Sequence, residues 1–373
     1  MPDGQFEVRF GNSIKGLKNG DQIFPEMLAA IRGAHYRVFL ETYIYWSGDI
    51  AQEFASSLSE CARRGVDTRV VLDDYGCKRL NQELIDEMED AGVKIHRHRP
   101  VRLTDLRKSN HRSHRKLMIV DHSVGFIGGV GIADEWTGDA KDSSEWRDNH
   151  FRVEGPIVED MLEVFLQHWP DQYSYHGTDE HPDSFPEDRG PVSARVVAAE
   201  PIRGVSGMAD MFKEILSNAE KSVRICTPYF LPDFGMLKNL LKASKRGISV
   251  EVLTAGQHTD MSIVRSASRI LWGKLLKSGI KIYEFEPSLI HVKSIIVDDK
   301  YVLIGSANFD VRSARLNDEA CLWVSDADFA SSENERFESD LSRSHPVSLD
   351  DWKDRTYWQR FLDRIAYMFR GLL

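Results

Sequence analysis

The chain contains no run of about 18 consecutive apolar residues, so nothing in it reads as a membrane-spanning helix. Its first residues, Met1 to Gln5, carry neither the basic start nor the apolar core of a secretory signal. Cysteine is scarce: Cys61, Cys77, Cys226 and Cys321 have no metal-type or redox spacing and read as small buried thiols in a reducing compartment. Positive charge is also lacking. A formal net charge of −10 argues against a general nucleic-acid binder but leaves room for a local basic site. What remains, 42% hydrophobic and 28% charged residues over 373 positions, is ordinary for a soluble chain with about two domain-sized cores.

One pattern occurs twice. His114-Arg115-Lys116 leads into Leu-Met-Ile-Val-Asp121, and six residues later come Gly128-Gly129. His291-Val292-Lys293 leads into Ser-Ile-Ile-Val-Asp298, and six residues later comes Gly305-Ser306-Ala307-Asn308. Chance explains one His-x-Lys triplet. It does not explain two copies that share the same Asp and small-residue offsets.

The copies sit in matching halves. Arg37 to Tyr45 reads as a buried strand, followed by a helix ending at Gly65, a strand from Thr68 to Leu72, a helix over about 80–91 closed by Gly92, and a strand from Val93. The second half repeats this order: strand Ser222 to Phe230, helix Leu237 to Arg246, strand Ser249 to Leu253, helix Ile263 to Lys277 and strand Ile280 to Phe285. So long a repeat means two homologous α/β/α domains with mixed sheets, related by a pseudo-two-fold, with one composite site between them. The expected boundaries are 1–170 for the first domain, 171–192 for a linker rich in Pro and acidic residues, 193–345 for the second domain, and 346–373 for a terminal amphipathic helix.

Each motif reads as a strand, along which side chains alternate. His114 and Lys116 therefore share one face, as do His291 and Lys293. Asp121 and Asp298 fall on the other face at the strand end, where they hold the turn or pair with structural groups. The small residues beyond, Gly129, Ser306 and Asn308, leave room for a phosphate and offer donors. A lone histidine could be nucleophile, acid, base or metal ligand. Two of them, each beside a lysine, suit phosphoryl transfer: one imidazole attacks phosphorus, the other moves the proton, and the ammonium groups stabilise the non-bridging oxygens. Metal ligation is disfavoured, because lysine does not ligate metals and one histidine per strand falls short of the three or four ligands zinc takes.

These residues resemble the paired HxKxxxxD signatures of the phospholipase D superfamily. The second copy fits in full; the first has Gly129 where Ser is common and Gly131 where Asn is usual. Within the superfamily, Leu40 to Ile44, Glu145 to Pro156, Asp310 to Ser313 and Arg315 to Glu319 are similar to bacterial cardiolipin synthases of the shorter type, without amino-terminal membrane helices. The resemblance implies phosphatidyl transfer between two phosphatidylglycerol molecules through a covalent phosphohistidine, with no cofactor and no metal. His114 is then the nucleophile and His291 the acid/base. An acidic residue beyond each motif, Asp148 and Glu319, orients a histidine ring. The expected partner is an anionic phospholipid, not nucleic acid, at the cytoplasmic face of the cell membrane, with the protein bound peripherally. Hydrolysis of phospholipid or nucleic acid, with water as acceptor, is the alternative, and a non-catalytic lipid-binding scaffold a further one.

Three segments could face lipid. From Lys94 to Lys116 basic residues dominate, with Arg97, Arg99, Arg102, Arg107, Lys108 and Arg112 leading into His114 and Asp105 the single acid. A second is Arg265, Arg269, Lys274 and Lys277 interleaved with Ile270, Leu271, Trp272, Leu275 and Leu276. The third is the last helix, Tyr357 to Leu373, where Trp358, Phe361, Leu362, Ile365, Phe369, Leu372 and Leu373 recur at helical spacing beside Arg355, Arg360, Arg364 and Arg370. Each could equally be an ordinary solvated or core-packing element.

Overall fold

The computed structural model describes residues 6–101, 110–170, 188–205 and 207–371. Arg102, Arg107, Lys108, Leu372, Leu373 and nearly all of the expected linker lie outside them. Among the described residues fifteen strands form one sheet, in the order β15-β11-β10-β9-β12-β13-β14-β8-β1-β7-β6-β5-β2-β3-β4, the last being Lys94–His98. In the first half β2 (Arg37–Thr42) lies between parallel β3 (Asp67–Asp73) and antiparallel β5 (Leu117–Val120). Beyond β5 come β6 (Val124–Gly128) and β7 (Asn149–Glu154). The second half matches strand for strand. β9 (Ser222–Thr227) lies between β10 (Ser249–Ala255) and β12 (Ser294–Val297), followed by β13 (Tyr301–Gly305) and β14 (Glu319–Ser325). β1 (Arg9–Lys18) and β8 (Val192–Ala199) pair antiparallel at the centre and join the halves around the pseudo-two-fold.

The motif strands are short, continuous apolar runs because both sheet faces are covered. Alternation then deals their side chains to different cores. Leu117 and Ile119 enter a central core shared by the halves, together with Phe151, Val196, Ile290, Ile304 and Leu322. Met118 and Val120 enter the outer core of the first half, and Ile295 and Val297 that of the second. A shared central core of this kind makes the halves one body.

The expected helices form within a few residues of their forecast ends. They are α2 (Asp49–Arg63), α3 (Gln82–Asp90), α6 (Phe234–Lys245), α7 (Ser262–Lys277) and α11 (Tyr357–Met368); the described residues add α1 (Asn19–Arg32), α4 (Ile157–Leu166), α5 (Gly207–Asn218), α8 (Val311–Arg315), α9 (Ala327–Leu341) and α10 (Leu349–Lys353). Gly65 and Gly247, at φ +87° and +88°, supply the left-handed residue past equivalent helix ends. Two details differ from expectation. The strands begin after the lysines, so each His-x-Lys is an extended lead-in rather than part of the ladder. And β15 (Ser344–Pro346) straddles the expected boundary at 345/346, pairing with β11 (Lys281–Phe285).

Asp121 and Asp298 hold turns, as their strand position implied. Each adopts φ near +55° (53° and 55°), a conformation Asp tolerates. The Asp121 carboxylate accepts the backbone N–H groups of His35, Tyr36 and Arg37, and Asp298 accepts those of Glu220, Lys221 and Ser222. Burial works against the Asp298 charge, but these three donors hold its pKa below the ordinary carboxylate value. Asp298→Ala should therefore lower stability by about 1–3 kcal/mol in chemical denaturation while leaving the folded site intact. A variant of unchanged stability would remove Asp298 from the turn's energetics.

Candidate active site

The two lead-in segments cross between halves. The N–H of His114 donates to the Asp318 carbonyl at 2.9 Å, and that of His291 to the Arg147 carbonyl at 2.6 Å. Parallel bridges Ser113↔Asp318 and Arg147↔Ile290 flank them. Each histidine therefore sits against the segment that precedes the opposite half's carboxylate. His114 Nδ1 is 3.1 Å from both Glu319 oxygens, and His291 Nδ1 is 2.7 Å from Asp148 Oδ2. Sequence position suggested one acid beyond each motif; the fold gives each acid to the other half's histidine.

The carboxylates are themselves held. Glu319 accepts Ser306 Oγ at 2.5 Å and Ser313 Oγ at 2.7 Å. Asp148 accepts Trp136 Nε1 at 3.0 Å and the Asn149 N–H at 2.8 Å. The glycines of the first motif follow from this geometry. A Cβ on Gly129 would lie 2.4 Å from Asp148 Oδ1, and one on Gly131 would lie 2.6 Å from Ile44 Cβ. The first half thus has no room for the serine and asparagine of the second, and Trp136 supplies the donor that Ser306 supplies to Glu319. Neither Gly129 nor Ser306 has the free donor expected for a phosphate. The Gly129 N–H goes to the Asn149 carbonyl, the Ser306 N–H to the Ala320 carbonyl, and the Ser306 hydroxyl to Glu319. Asn308 is buried with its side-chain oxygen unpartnered.

All four His and Lys side chains are buried. Burial, then the Lys116 ammonium, pulls His114 down to about 4; burial, then Lys293, pulls His291 to about 3. Burial lowers Lys116 to about 7, aided by repulsion from Lys293, and burial lowers Lys293 to about 8. Each lysine acts on the other half's groups, so the four form one site. Burial opposes the Glu319 charge, but His114, Lys116 and Ser306 together hold its pKa at about 2. Burial likewise opposes Asp148, which Lys293 and His291 keep below the usual carboxylate value. Near pH 7 the site holds two carboxylates and two neutral imidazoles. The carboxylates take Nδ1–H, which leaves Nε2 as the free lone pair.

Further residues that sequence reasoning missed support this arrangement. Arg147 is fully buried, paired with Asp340 at 2.7 Å, and bonded to the Asp148 carbonyl and Asn149 Oδ1 at 2.6 Å. Glu41 accepts Ser113 Oγ and His168 Nδ1, both at 2.6 Å. Where described, the arginines of the basic approach are engaged with acids from other segments. Arg99 pairs with Asp318, Arg112 with Asp73 and Arg97 with Asp74. A run of arginines on paper becomes a set of partners for carboxylates brought in by other segments. The α7 candidate is likewise absorbed: Arg265 pairs with Glu284, Arg269 with Asp363, and Leu271, Trp272 and Leu275 are core.

Two half-sites of one His and one Lys, each completed by the opposite carboxylate across a pseudo-two-fold, define a protein of the phospholipase D class. The chain belongs to the family described as cardiolipin synthase, PLD-like domain, whose pattern matches residues 27–169 and 212–341. It is 30% identical over 365 residues to the major cardiolipin synthase ClsA of Bacillus subtilis, covering 97% of this chain and 76% of that one. It is 32% identical over 378 residues to the cardiolipin synthase of Geobacillus kaustophilus, covering 99% and 74%. A phosphatidylserine synthase from Haemophilus influenzae shares the fold at a TM-score of 0.75 and 14% identity, over 96% of this chain and 93% of that one.

Gly129→Ala should displace Asp148 from His291 and cut turnover more than about tenfold, since a misplaced catalytic group costs rate steeply. Wild-type turnover in that variant would show that the Asp148–His291 contact is dispensable.

Proposed function

We propose that this chain transfers a phosphatidyl group between two phosphatidylglycerol molecules, yielding cardiolipin and glycerol, at a membrane surface on its cytoplasmic side. The observation that carries the reading is the pair of carboxylate-held, neutral imidazoles flanked by two buried lysines. His114 attacks phosphorus through Nε2, forming the N–P bond as the P–O bond to glycerol breaks. His291 gives that glycerol oxygen its proton. The hydroxyl of the second lipid then returns a proton to His291 and takes the phosphatidyl group from His114. Lys116 and Lys293 neutralise charge on the non-bridging oxygens.

A difference between the half-sites supports this division of roles. His114 Nδ1 faces both oxygens of Glu319. His291 Nδ1 is shared between Asp148 at 2.7 Å and Lys293 Nζ at 2.8 Å. The first ring is fixed as the Nδ1–H tautomer with a ready nucleophile at Nε2. The second shares its Nδ1 with a buried ammonium, which keeps the ring neutral until a bound anion offsets that charge. A bound phosphodiester anion, by offsetting the lysines, raises the pKa of the histidine that must act as acid.

His114→Ala and His291→Ala should each reduce cardiolipin formation from phosphatidylglycerol by roughly 10²–10⁴-fold. In His291→Ala, quenched turnover should leave an acid-labile phosphatidyl adduct on the His114 peptide. An adduct on His291 in the wild type would reverse the roles, and phosphatidic acid as main product would make water the acceptor. Because the lysines must be charged to hold the diester and their pKa values are lowered to about 7 and 8, kcat/KM should fall as pH rises through that range. A flat alkaline limb up to pH 10 would refute the lysine assignment.

A further inference from the structure

Helix α11 is docked in reverse. The residues it buries are polar or small, with Tyr367 packed half-buried beside them. Asp363 is fully buried and takes Arg269 of α7 at 2.8 Å and Arg355 at 2.5 Å, and Ala366 is buried beside it. Its apolar stripe faces outward: Trp358 is 66% exposed, Phe361 50% and Met368 76%, with Leu362, Ile365 and Phe369 exposed alongside. Nothing in the helix is left to chance at its start, where Thr356 and Gln359 form a capping box. Trp352 of the preceding α10 fills the space over Gly273 of α7 and donates its indole N–H to the Arg269 carbonyl at 2.7 Å. The desolvated Asp363 with its two arginines fixes which face points in, since breaking such a cluster strands a buried charge.

Soluble proteins rarely leave so much contiguous apolar surface exposed without a partner. The charge around the stripe selects the partner. Arg360, Arg364 and Arg370 accompany it, while the helix's acid, Asp363, is already neutralised, in a chain whose net charge is −10. A second copy of this helix would bring cation against cation. An anionic bilayer accepts the aromatic and aliphatic side chains and the arginines together. Topology puts the same side of the molecule at the active site. Trp352 and Asp363 both meet α7 at Arg269, within two turns of its start, and α7 follows the C-terminal end of β10. That end of the sheet also carries Lys293, because Ser294 pairs with Cys226 near the end of β9. Exposed Phe234 and Ile263 begin the helices that follow β9 and β10, and exposed Tyr75 follows β3.

We propose that α11 lies in the interface of an anionic bilayer, apolar stripe inward, and holds the mouth of the two-histidine site against its lipid substrate. This rests on the lipid substrate proposed above, and the experiment separates the two. Full-length protein is mixed with vesicles of phosphatidylglycerol and phosphatidylcholine, or of phosphatidylcholine alone, and sedimented. The quadruple variant Trp358→Ser, Phe361→Ser, Ile365→Ser, Met368→Ser should bind the anionic vesicles at least tenfold more weakly and make less cardiolipin on them. Its turnover of monomeric short-chain phosphatidylglycerol should match the wild type. Arg360→Gln with Arg364→Gln should lose the preference for anionic vesicles. Unaltered vesicle binding by the quadruple variant overturns the proposal. So does a wild-type dimer that the variant converts to monomer while vesicle binding persists. Wild-type binding that depends on α11, without any cardiolipin formed, upholds the docking and refutes the activity.

Discussion

The structure depends on an exchange between its halves: each histidine takes its main-chain and carboxylate partners from the other half. A buried carboxylate needs charge and hydrogen bonds around it. Glu319 finds part of them at His114 and Asp148 part at His291, so each acid completes its set of partners across the interface. The shared central core brings the segments together, and the parallel bridges at Ser113↔Asp318 and Arg147↔Ile290 set their register. Packing and catalysis are therefore not separable here. The contacts that close the interface between the halves are the ones that aim the imidazoles.

The same exchange explains why the halves diverged. In the second half a serine hydroxyl steadies a glutamate, and Ser313, at the end of a helix turn capped by Asp310, adds a second donor. In the first half the carboxylate is one methylene shorter and draws close to the backbone, which only glycine at 129 permits. The hydroxyl is replaced by the Trp136 indole, whose ring also stands edge-on to His291 at 5.2 Å. A departure from the motif in one half is thus a compensated change of donor. The chemistry it serves is the same.

The fold and the paired motifs were legible in the sequence because they are local and repeated. Period, glycine stops and the duplicated His-x-Lys all act over a few residues, and the copies check one another. The crossing was not legible, since nothing local distinguishes a carboxylate that turns to its own histidine from one that turns to its counterpart. Trp136, Arg147 and Glu41 were missed for the same reason. Their role lies in a partner distant in sequence, Asp148 aside, and a tryptophan in a small-residue loop gives no sign that its N–H is needed. The basic run before His114 misled in the opposite direction. Charge counted along the chain ignores acids from elsewhere, and Asp73, Asp74 and Asp318 take up Arg112, Arg97 and Arg99. The last helix offered the opposite ambiguity. Its amphipathic pattern allowed either burial or exposure of the apolar face, and only the position of Asp363 decided.

Charge balance in the site follows from these contacts and bears on what it can accept. Two lysines, when charged, balance Asp148 and Glu319, and the two imidazoles are neutral. The site is then near neutrality, held there by burial that resists any unbalanced charge. A phosphodiester brings one negative charge into it. Neutrality is then restored by one proton, taken first by a lysine still uncharged near pH 7 and, with both lysines charged, by an imidazole. In the proposed mechanism that imidazole would be the general acid for cleavage. A phosphomonoester, with close to two charges, would call for protons on both rings and so remove the nucleophile. On this account a preference for diesters would reside in the number of charges that one buried, balanced site can absorb while one histidine stays free and the other is protonated.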